Sequence, residues 1–367
     1  MSNGIAGKKL ECCPYLRLNG DMNTRNPALP DDFDGAPGPY DAGPEVKDLW
    51  VLPDDAAERD SLAPLPRADR PLFSMETWRK AEARNAAPLA DVAFRLGVLD
   101  ERLRGFGAGG LERLAITAAQ DWSWGQGDRI GADRLVLWME MSLAGAQDDP
   151  GALARASWVA RRLAAPRSVA DSGLGTGLCD LLGRDSGQSG VADLAEVMAG
   201  SEVLHPLTRG ALAFHAWRML GPEGAVTGAE ALVLGARVAA SFAKGGAHFL
   251  PVGLAGLDGT RGKDPAEKLG NWLRSAERGT FAALMMLGQL TDWQGRARAD
   301  LSDLQGRTPA ELIALFLKLP VVTAALAEAR LGVGRSTVQR NLDLMQARGL
   351  IREITGQGRF RVWVVQV

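Results

Sequence analysis

The stretch that decides the fold is TPAELIALFLKLPVVTAALAEARLGVGRSTVQRNLDLMQARGLIREITGQGRFRVWVVQV, which runs from Thr308 to Val367. It opens with the signals of a helix start. Thr308 can cap, Pro309 suits the first helical position, and Glu311 can close a capping box. An apolar stripe follows as far as Pro320, which cannot continue a helix. The pattern therefore predicts a first helix that begins at Thr308 and stops at Pro320.

Two further helices are predicted before the chain changes character. The shorter one covers about residues 323–329, and Gly332 and Gly334 then allow a tight turn. The longer one covers about residues 335–347, and Gly349 is placed to end it. One face of the longer helix is apolar at helical spacing and is predicted to be buried: Val338, Leu342 and Met345.

The last part of the stretch alternates in the manner of β-strands. Residues 350–354 and 359–365 are joined by Thr355-Gly356-Gln357-Gly358, which is a hairpin signal. The order of helix, short helix, turn, long helix and hairpin is that of a winged helix-turn-helix. In that fold the long helix lies in the major groove of DNA with its N-terminal residues toward the base edges.

The charge of this stretch favours nucleic acid. From residue 321 onward there are seven arginines and three acidic residues, whereas the whole chain has a net charge of −2. A basic segment on an acidic body can provide phosphate contacts. Residues predicted to meet the major groove stand at the start of the long helix: Arg335, Ser336, Thr337, Gln339 and Arg340. Residues predicted to meet flanking phosphate or the minor groove stand in the wing: Gln357, Arg359 and Arg361.

Length and composition limit the remaining alternatives. A chain of 367 residues can hold one large domain and one small domain. Three cysteines, an odd and sparse set, favour a reducing compartment. Neither a long apolar run nor a signal peptide is evident, and the Ala, Gly, Leu and Arg content is typical of a high-GC bacterial genome. We therefore expect a bacterial cytoplasmic protein. The three histidines lack metal-ligand spacing, so no metal or cofactor is predicted.

The rest of the chain predicts a body made of helices. Residues 1–70 are rich in Pro, Gly and Asp and are expected to be poorly ordered, whereas residues 71–300 form an all-helical domain. Predicted helices cover residues 74–78, 91–104, 111–122, 133–143, 151–164, 191–200, 205–220 and 229–242, with two more over 266–294. The run over 133–143 is apolar nearly all round and is predicted to be buried. Trp272 and Phe281 are predicted core aromatics, and residues 295–306 a connection to the winged helix.

The glycine-rich stretch over residues 172–190 has two interpretations. Gly173, Gly175 and Gly177 suggest a phosphate loop, but neither a preceding strand nor a Lys-Ser/Thr ending accompanies them. A connection between helices is the interpretation that the sequence favours.

Two resemblances to known families add to this. Residues 321–364 are similar to the helix-turn-helix domain that ends a group of uncharacterised alphaproteobacterial, largely rhizobial, proteins, in which it follows an all-helical domain. That resemblance implies a DNA-binding domain on a helical body. Residues 207–217, LTRGALAFHAW, resemble the helix that precedes the signature HPFx(D/E)GN(G/K)R of Fic domains, which transfer AMP to protein hydroxyls.

The Fic resemblance implies an inactive site. Gly221 stands where the catalytic histidine would be, Ala225 where the metal-binding acid would be, and Ala229 where the phosphate-binding arginine would be. Without a base, a magnesium ligand and a charge-balancing arginine the transfer cannot proceed. The alternative is that the similarity reflects a generic helical pattern. His205 and His215 are each interpreted as a capped or a core histidine rather than as a catalyst.

The sequence therefore predicts a mainly α protein with no enzymatic activity that binds specific sequences in double-stranded DNA. Its expected role is that of a transcriptional regulator or a plasmid-associated factor, acting as a homodimer. The helical body would supply dimer contacts or a site for a small-molecule or protein effector. Two alternatives remain: a Fic-type nucleotidyltransferase relative, or a winged helix that binds protein.

Overall fold

The computed structural model of the protein describes residues 70–143, 145, 147–166, 180–184, 190–222, 224–254, 262–356 and 361–367. The predictions for the N-terminal segment and its two cysteines lie outside these residues. Most of the glycine-rich stretch over residues 172–190 also lies outside them, as do Gln357 and Arg359 in the wing. Every described residue belongs to a unit that extends over residues 66–367.

The helical body, defined here as residues 70–300, has ten α-helices in its described part. They are α1 (Arg70–Phe73), α2 (Met75–Arg84), α3 (Ala86–Phe106), α4 (Ala108–Gln126), α5 (Ala132–Met141), α6 (Pro150–Ala164), α7 (Val191–Met198), α8 (Pro206–Leu220), α9 (Ala225–Ala239) and α10 (Pro265–Asp300). The predicted apolar face of α3 is confirmed by four buried residues: Val92, Leu96, Leu99 and Leu103. The predicted break over residues 105–110 is a single residue, Gly107, whose φ of 79° ends α3.

The helices α8 and α9 pack closely in the centre of the body. A Cβ added to Gly210 on α8 would lie 2.5 Å from the carbonyl oxygen of Gly235 on α9, so the two backbones meet where neither has a side chain. Trp217 and Trp272 are fully buried in the same core, Trp272 as predicted. Small residues at the crossing and large ones around it give the dense packing that protein interiors require.

The helix α10 corrects three predictions. Two helices were predicted over residues 266–294 and a connection over 295–306, but one helix of 36 residues covers all of the first range and the first half of the second. Its glycines do not interrupt it. A Cβ on Gly279 would collide with the carbonyl oxygen of Pro251, so that glycine allows close packing. Phe281 is not a core residue, because it is 55% exposed on the outer side of α10.

The helix α5 is less buried than its sequence predicts. Only Leu135 and Val136 of this helix are buried, and Leu143, just beyond its end, is 53% exposed. Leu137 and Met141 border a pocket, and Met141 also packs against the edge of the core. Neither α5 nor any other helix in the described residues is long and apolar enough to cross a lipid bilayer.

The C-terminal domain, defined here as residues 308–367, is a winged helix-turn-helix, and the protein is mainly α as predicted. Its elements are α11 (Thr308–Lys318), β1 (Val322–Thr323), α12 (Ala324–Leu331), α13 (Arg335–Ala347), β2 (Ile351–Glu353) and β3 (Val362–Val365). The strands form an antiparallel sheet in the order β1–β3–β2. Trp363 on β3 pairs with Val322 and with Glu353, so β3 joins the wing to the turn before α12.

Two local predictions in this domain are wrong. Thr308 does not cap α11, because it is the first helical residue and Arg307 occupies the cap without a side-chain hydrogen bond. Strands were predicted only in the wing, yet β1 precedes α12. Two residues are too few to show an alternating pattern, and β1 exists because Val322 and Thr323 pair with β3.

Candidate nucleic-acid interface

The turn between α12 and α13 is set by local sequence. Thr323 Oγ1 accepts a hydrogen bond from Leu326 N (3.1 Å) and so caps α12. Gly332 ends that helix with a φ of 64°, in the left-handed region that favours glycine. Gly334 then precedes α13 as its N-cap. The side chains that α13 buries are those that the sequence predicted: Val338, Leu342 and Met345.

The N-terminal half of α13 carries the residues predicted to meet the major groove, and we call their surface the α13 face. Arg335, Ser336 and Arg340 are exposed, while Thr337 and Gln339 are half-buried at its edges. Unpaired N–H groups give a helix start a partial positive charge, which suits phosphates and electronegative base edges. Five predicted residues thus lie together on two turns of one helix.

Asp343, two turns along α13, orders two of the predicted residues. Its carboxylate accepts a hydrogen bond from Gln339 Nε2 (2.9 Å) and pairs with Arg361 at the base of the wing (3.3 Å). The Arg361 guanidinium also donates to Gln346 Oε1 (2.9 Å) and lies 4.8 Å from the centre of the Trp363 ring. Asp343 therefore fixes the direction of the Gln339 amide and ties the wing to α13. Asp343 was not among the residues predicted to have a role.

The described part of the wing turn is organised by one acid. The Glu353 carboxylate accepts hydrogen bonds from Thr355 N (2.6 Å) and Gly356 N (3.0 Å). The hydroxyl of Thr355, the largest cause, holds the pKa of Glu353 below its usual range. Gln357 and Arg359, which were predicted to contact phosphate or the minor groove, lie outside the described residues.

A second group of cations in the C-terminal domain binds acids that precede the domain. Three ion pairs make this connection: Arg330–Glu140 (2.6 Å), Lys318–Glu112 (2.7 Å) and Arg348–Asp303 (2.7 and 2.8 Å). Arg330 and Arg348 belong to the seven arginines whose charge favours nucleic acid, but both are paired within the chain. Among the arginines of the domain that are described, three have no carboxylate partner: Arg335, Arg340 and Arg352.

Buried hydrogen bonds also join the C-terminal domain to the residues that precede it. We call these hydrogen bonds and the three ion pairs together the seam. Arg113 on α4 is 7% exposed and donates to the carbonyl oxygens of Phe316 (2.6 Å) and Leu319 (2.7 Å) at the end of α11. Burial lowers the pKa of Arg113 to about 10, so it stays charged at neutral pH. Trp293 on α10 donates from Nε1 to the carbonyl oxygen of Leu350 (2.7 Å). Carbonyl acceptors leave no mark in a sequence, so none of these contacts was predicted.

A pocket of about 390 Å³ lies between α5 and the α13 face. Its apolar lining includes side chains from the end of α5 and from β3: Leu137, Met141, Leu143, Val362 and Trp363. Its polar lining includes two guanidinium groups, from Arg335 and Arg361, and the amide of Gln339. The volume and the mixture of apolar walls with few polar groups are those of a small-molecule site.

The two histidines of interest have the structural roles that the sequence predicted. His205 Nδ1 accepts a hydrogen bond from Leu207 N (3.2 Å) and caps α8. His215 is buried with its ring 5.1 Å from that of Phe214. Burial, and to a lesser extent nearby cations, lower the pKa of His215 to about 3, so its ring is neutral.

Glu230, which follows the turn between α8 and α9, has partners that the sequence did not reveal. It is 3% exposed and accepts hydrogen bonds from Arg184 Nε (2.7 Å) and Trp217 Nε1 (3.0 Å). Both carboxylate oxygens are therefore engaged inside the body. Within the described ranges, no group of three or more His, Cys, Asp or Glu residues is arranged to hold a metal ion.

Comparison with known proteins agrees with the geometry of the C-terminal domain. Residues 310–365 match the protein-family model described as an HTH DNA binding domain. That range runs from the first turn of α11 to the end of β3. A search of the curated proteins finds no match to the chain. The protein therefore has a C-terminal helix-turn-helix DNA-binding domain, and the match does not extend to the helical body.

Proposed function

We propose that this protein recognises specific sequences in double-stranded DNA, with α13 in the major groove. The observation that carries the proposal is the α13 face. Arg335 and Arg340 are exposed there without a carboxylate partner among the described residues, at the end of the helix that such domains direct toward base edges. The match of residues 310–365 to a DNA-binding family supports the same conclusion.

Each residue of the α13 face has a chemistry that suits DNA. Arg335 and Arg340 can each donate two hydrogen bonds to a guanine, and Gln339 can pair with an adenine through its amide. Because Asp343 holds that amide in one direction, Gln339 would reach the base with little loss of side-chain freedom. Ser336 and Thr337 can bond either to a base or to a phosphate.

The wing would add contacts beside the groove. Gln357, Arg359 and Arg361 are the residues proposed to meet flanking phosphate or the minor groove. Arg361 forms an ion pair with Asp343, so it attracts phosphate more weakly than an unpaired arginine does. We expect Arg361 mainly to hold the wing in place.

The biological role that we propose is that of a transcriptional regulator or a plasmid-associated factor in the bacterial cytoplasm. The protein would act as a homodimer, with the helical body supplying dimer contacts and an effector site. Two α13 helices related by a twofold axis would read half-sites about 34 Å apart, which is one turn of DNA. A two-fold symmetric binding site would support the dimer.

For the helical body we propose a role without catalysis. The three positions that would carry Fic chemistry hold Gly221, Ala225 and Ala229, and the nearby Glu230 is bound to Trp217 and Arg184. Titration calorimetry with Mg²⁺ and ATP tests this, and we expect no binding. Saturable binding at micromolar ATP would overturn the proposal and favour a divergent nucleotidyltransferase.

The experiment that tests the main proposal is a pulldown of genomic DNA fragments at two salt concentrations, followed by sequencing. We expect discrete fragments to be enriched and their retention to fall as salt rises. The matched pair of variants is Arg340→Ala, on the α13 face, and Arg330→Ala, at the seam. Enrichment that disappears only with Arg340→Ala supports the proposal. Uniform or absent binding by the wild type would leave a protein-binding winged helix.

A further inference from the structure

The pocket beside the α13 face has an uncovered apolar wall that belongs to the helical body. Leu137 and Met141 on α5 are only half-buried, and Leu143 just after α5 is 53% exposed. These side chains explain why α5 is apolar nearly all round although only one side enters the core. Apolar surface that faces a cavity is stabilised when an apolar group displaces its water.

The polar side of the same pocket is cationic. Arg335 lines the pocket and has no carboxylate partner among the described residues. Arg361 also lines the pocket, and one of its guanidinium nitrogens is ion-paired with Asp343. Of the described residues that line the pocket, none is acidic. A carboxylate is therefore the group that complements this side, because a guanidinium binds it through two parallel hydrogen bonds.

We propose that this pocket binds a small amphipathic carboxylic acid, with its carboxylate on Arg335 and Arg361 and its aliphatic or aromatic body against Leu137, Met141 and Leu143. The position of the pocket gives the ligand a regulatory effect that rests on the proposed function. Arg335 cannot bond to a ligand and to a base at the same time, so the acid and DNA compete for the α13 face. By linkage, each lowers the affinity of the other.

Ligand binding is tested first on the full chain without DNA. The probes are 3-phenylpropanoate and decanoate, with 3-phenylpropanol and decanol as uncharged partners of matched shape, titrated by calorimetry. We expect saturable binding of at least one acid, and at least tenfold weaker binding of its alcohol. If neither acid binds, or if acid and alcohol bind equally, the proposal is overturned.

Two variants locate the site. Leu143→Asp places a negative charge on the exposed wall, and Arg335→Gln removes the cation, so each should weaken binding of the acid at least tenfold. Phe94→Asp is the matched control, since Phe94 is 74% exposed on α3 and is not among the residues that line the pocket. Thermal unfolding of each variant confirms that it folds. Equal binding by the wild type and both pocket variants would overturn the assignment to this pocket.

Competition is measured on the enriched DNA fragment, with the acid added at saturation. We expect at least a tenfold loss of DNA affinity in the wild type and less than a twofold loss in Leu143→Asp. If an acid binds the pocket without changing DNA affinity, the proposal that acid and DNA compete is wrong. Failure of the proposed function gives a different result, namely no fragment enriched in the absence of any acid.

Discussion

Five cations of the C-terminal domain fall into two groups that the amino-acid sequence does not separate. Arg330, Lys318 and Arg348 bind acids that precede the domain, whereas Arg335 and Arg340 face outward on α13. All five would attract a phosphate if they were free. A count of basic residues therefore overstates the charge that DNA can meet, and the positions of the acids decide which arginines remain available.

The two groups differ in the surface on which they lie. The seam combines ion pairs with buried hydrogen bonds from Arg113 and Trp293. In the part of the chain that the structure describes, the side chains of the α13 face have no such support beyond the bond from Gln339 to Asp343. We therefore expect changes at the seam to alter stability and changes on the α13 face to alter binding.

The largest effect is expected from Arg113→Met. Two buried carbonyl oxygens at the end of α11 lose their donor, and each unsatisfied group costs roughly 1–3 kcal/mol. We expect the free energy of unfolding to fall by about 3 kcal/mol in urea denaturation. Arg296→Met is the control, because that side chain donates to Gln366 O (3.0 Å) at the exposed edge of the seam. Equal stability of the two variants would mean that relief from burying a charge offsets both lost bonds.

The next effect is expected on the α13 face. Arg340→Ala should weaken binding to the enriched DNA site by a factor of roughly 10 to 100 and relax the preference at one base position. Its thermal stability should stay that of the wild type, because Arg340 is exposed and is not ion-paired within the described residues. A fluorescence anisotropy titration against the site and a set of single-base variants measures both. An unchanged base preference would show that Arg340 does not read a base.

A pH titration tests the body apart from both groups. His215 on α8 has a pKa near 3 in the folded protein and an ordinary value of 6.5, so below pH 6.5 only the unfolded state takes up a proton. Because the buried ring of His215 stays neutral, the free energy of unfolding decreases as pH falls. Between pH 7.5 and 5.5 we expect wild type to lose about 1.4 kcal/mol more than His215→Met in urea denaturation. Parallel pH profiles of the two proteins would contradict a neutral buried imidazole.

The smallest effect is expected from Arg348→Ala. The Arg348 side chain binds Asp303 rather than facing outward, so DNA affinity should change less than twofold and its salt dependence should stay the same. The same titration on Arg335→Ala is the comparison, where we expect a clear loss of affinity. A large loss with Arg348→Ala would mean that its ion pair opens on DNA, and the division into two groups would then be wrong.

Much of the fold could be predicted because its signals are local. The bounds of α13 and its buried residues follow from helical spacing and from the glycines at either end. The strand β1 could not be predicted, because Val322 and Thr323 become a strand only through pairing with β3. The single long helix α10 was also missed, and the close contact of its Gly279 with Pro251 from another segment is visible only in the folded protein.

The candidate site divides in the same way. The residues of the α13 face could be predicted from their type and from their place at the start of a helix. The ion pair of Arg330 with Glu140 could not, because those residues are far apart in the chain and meet only in the folded protein. The pocket left one trace, the run of apolar residues on α5, which the sequence suggested was core.

The helix α10 also bears on whether the C-terminal domain could be exchanged between proteins. Its first half packs in the helical body through Trp272, and its last turns supply Trp293 to Leu350 and Phe316, over a length of about 54 Å at 1.5 Å per residue. A fragment cut at residue 308 would lose Trp293 and Arg113 and expose the surfaces that they cover. A fragment transferred to another scaffold must therefore include the end of α10, and the new scaffold must supply a donor that replaces Arg113. A recombination point within α10, before Trp293, is the boundary that we expect evolution and protein engineering to tolerate best.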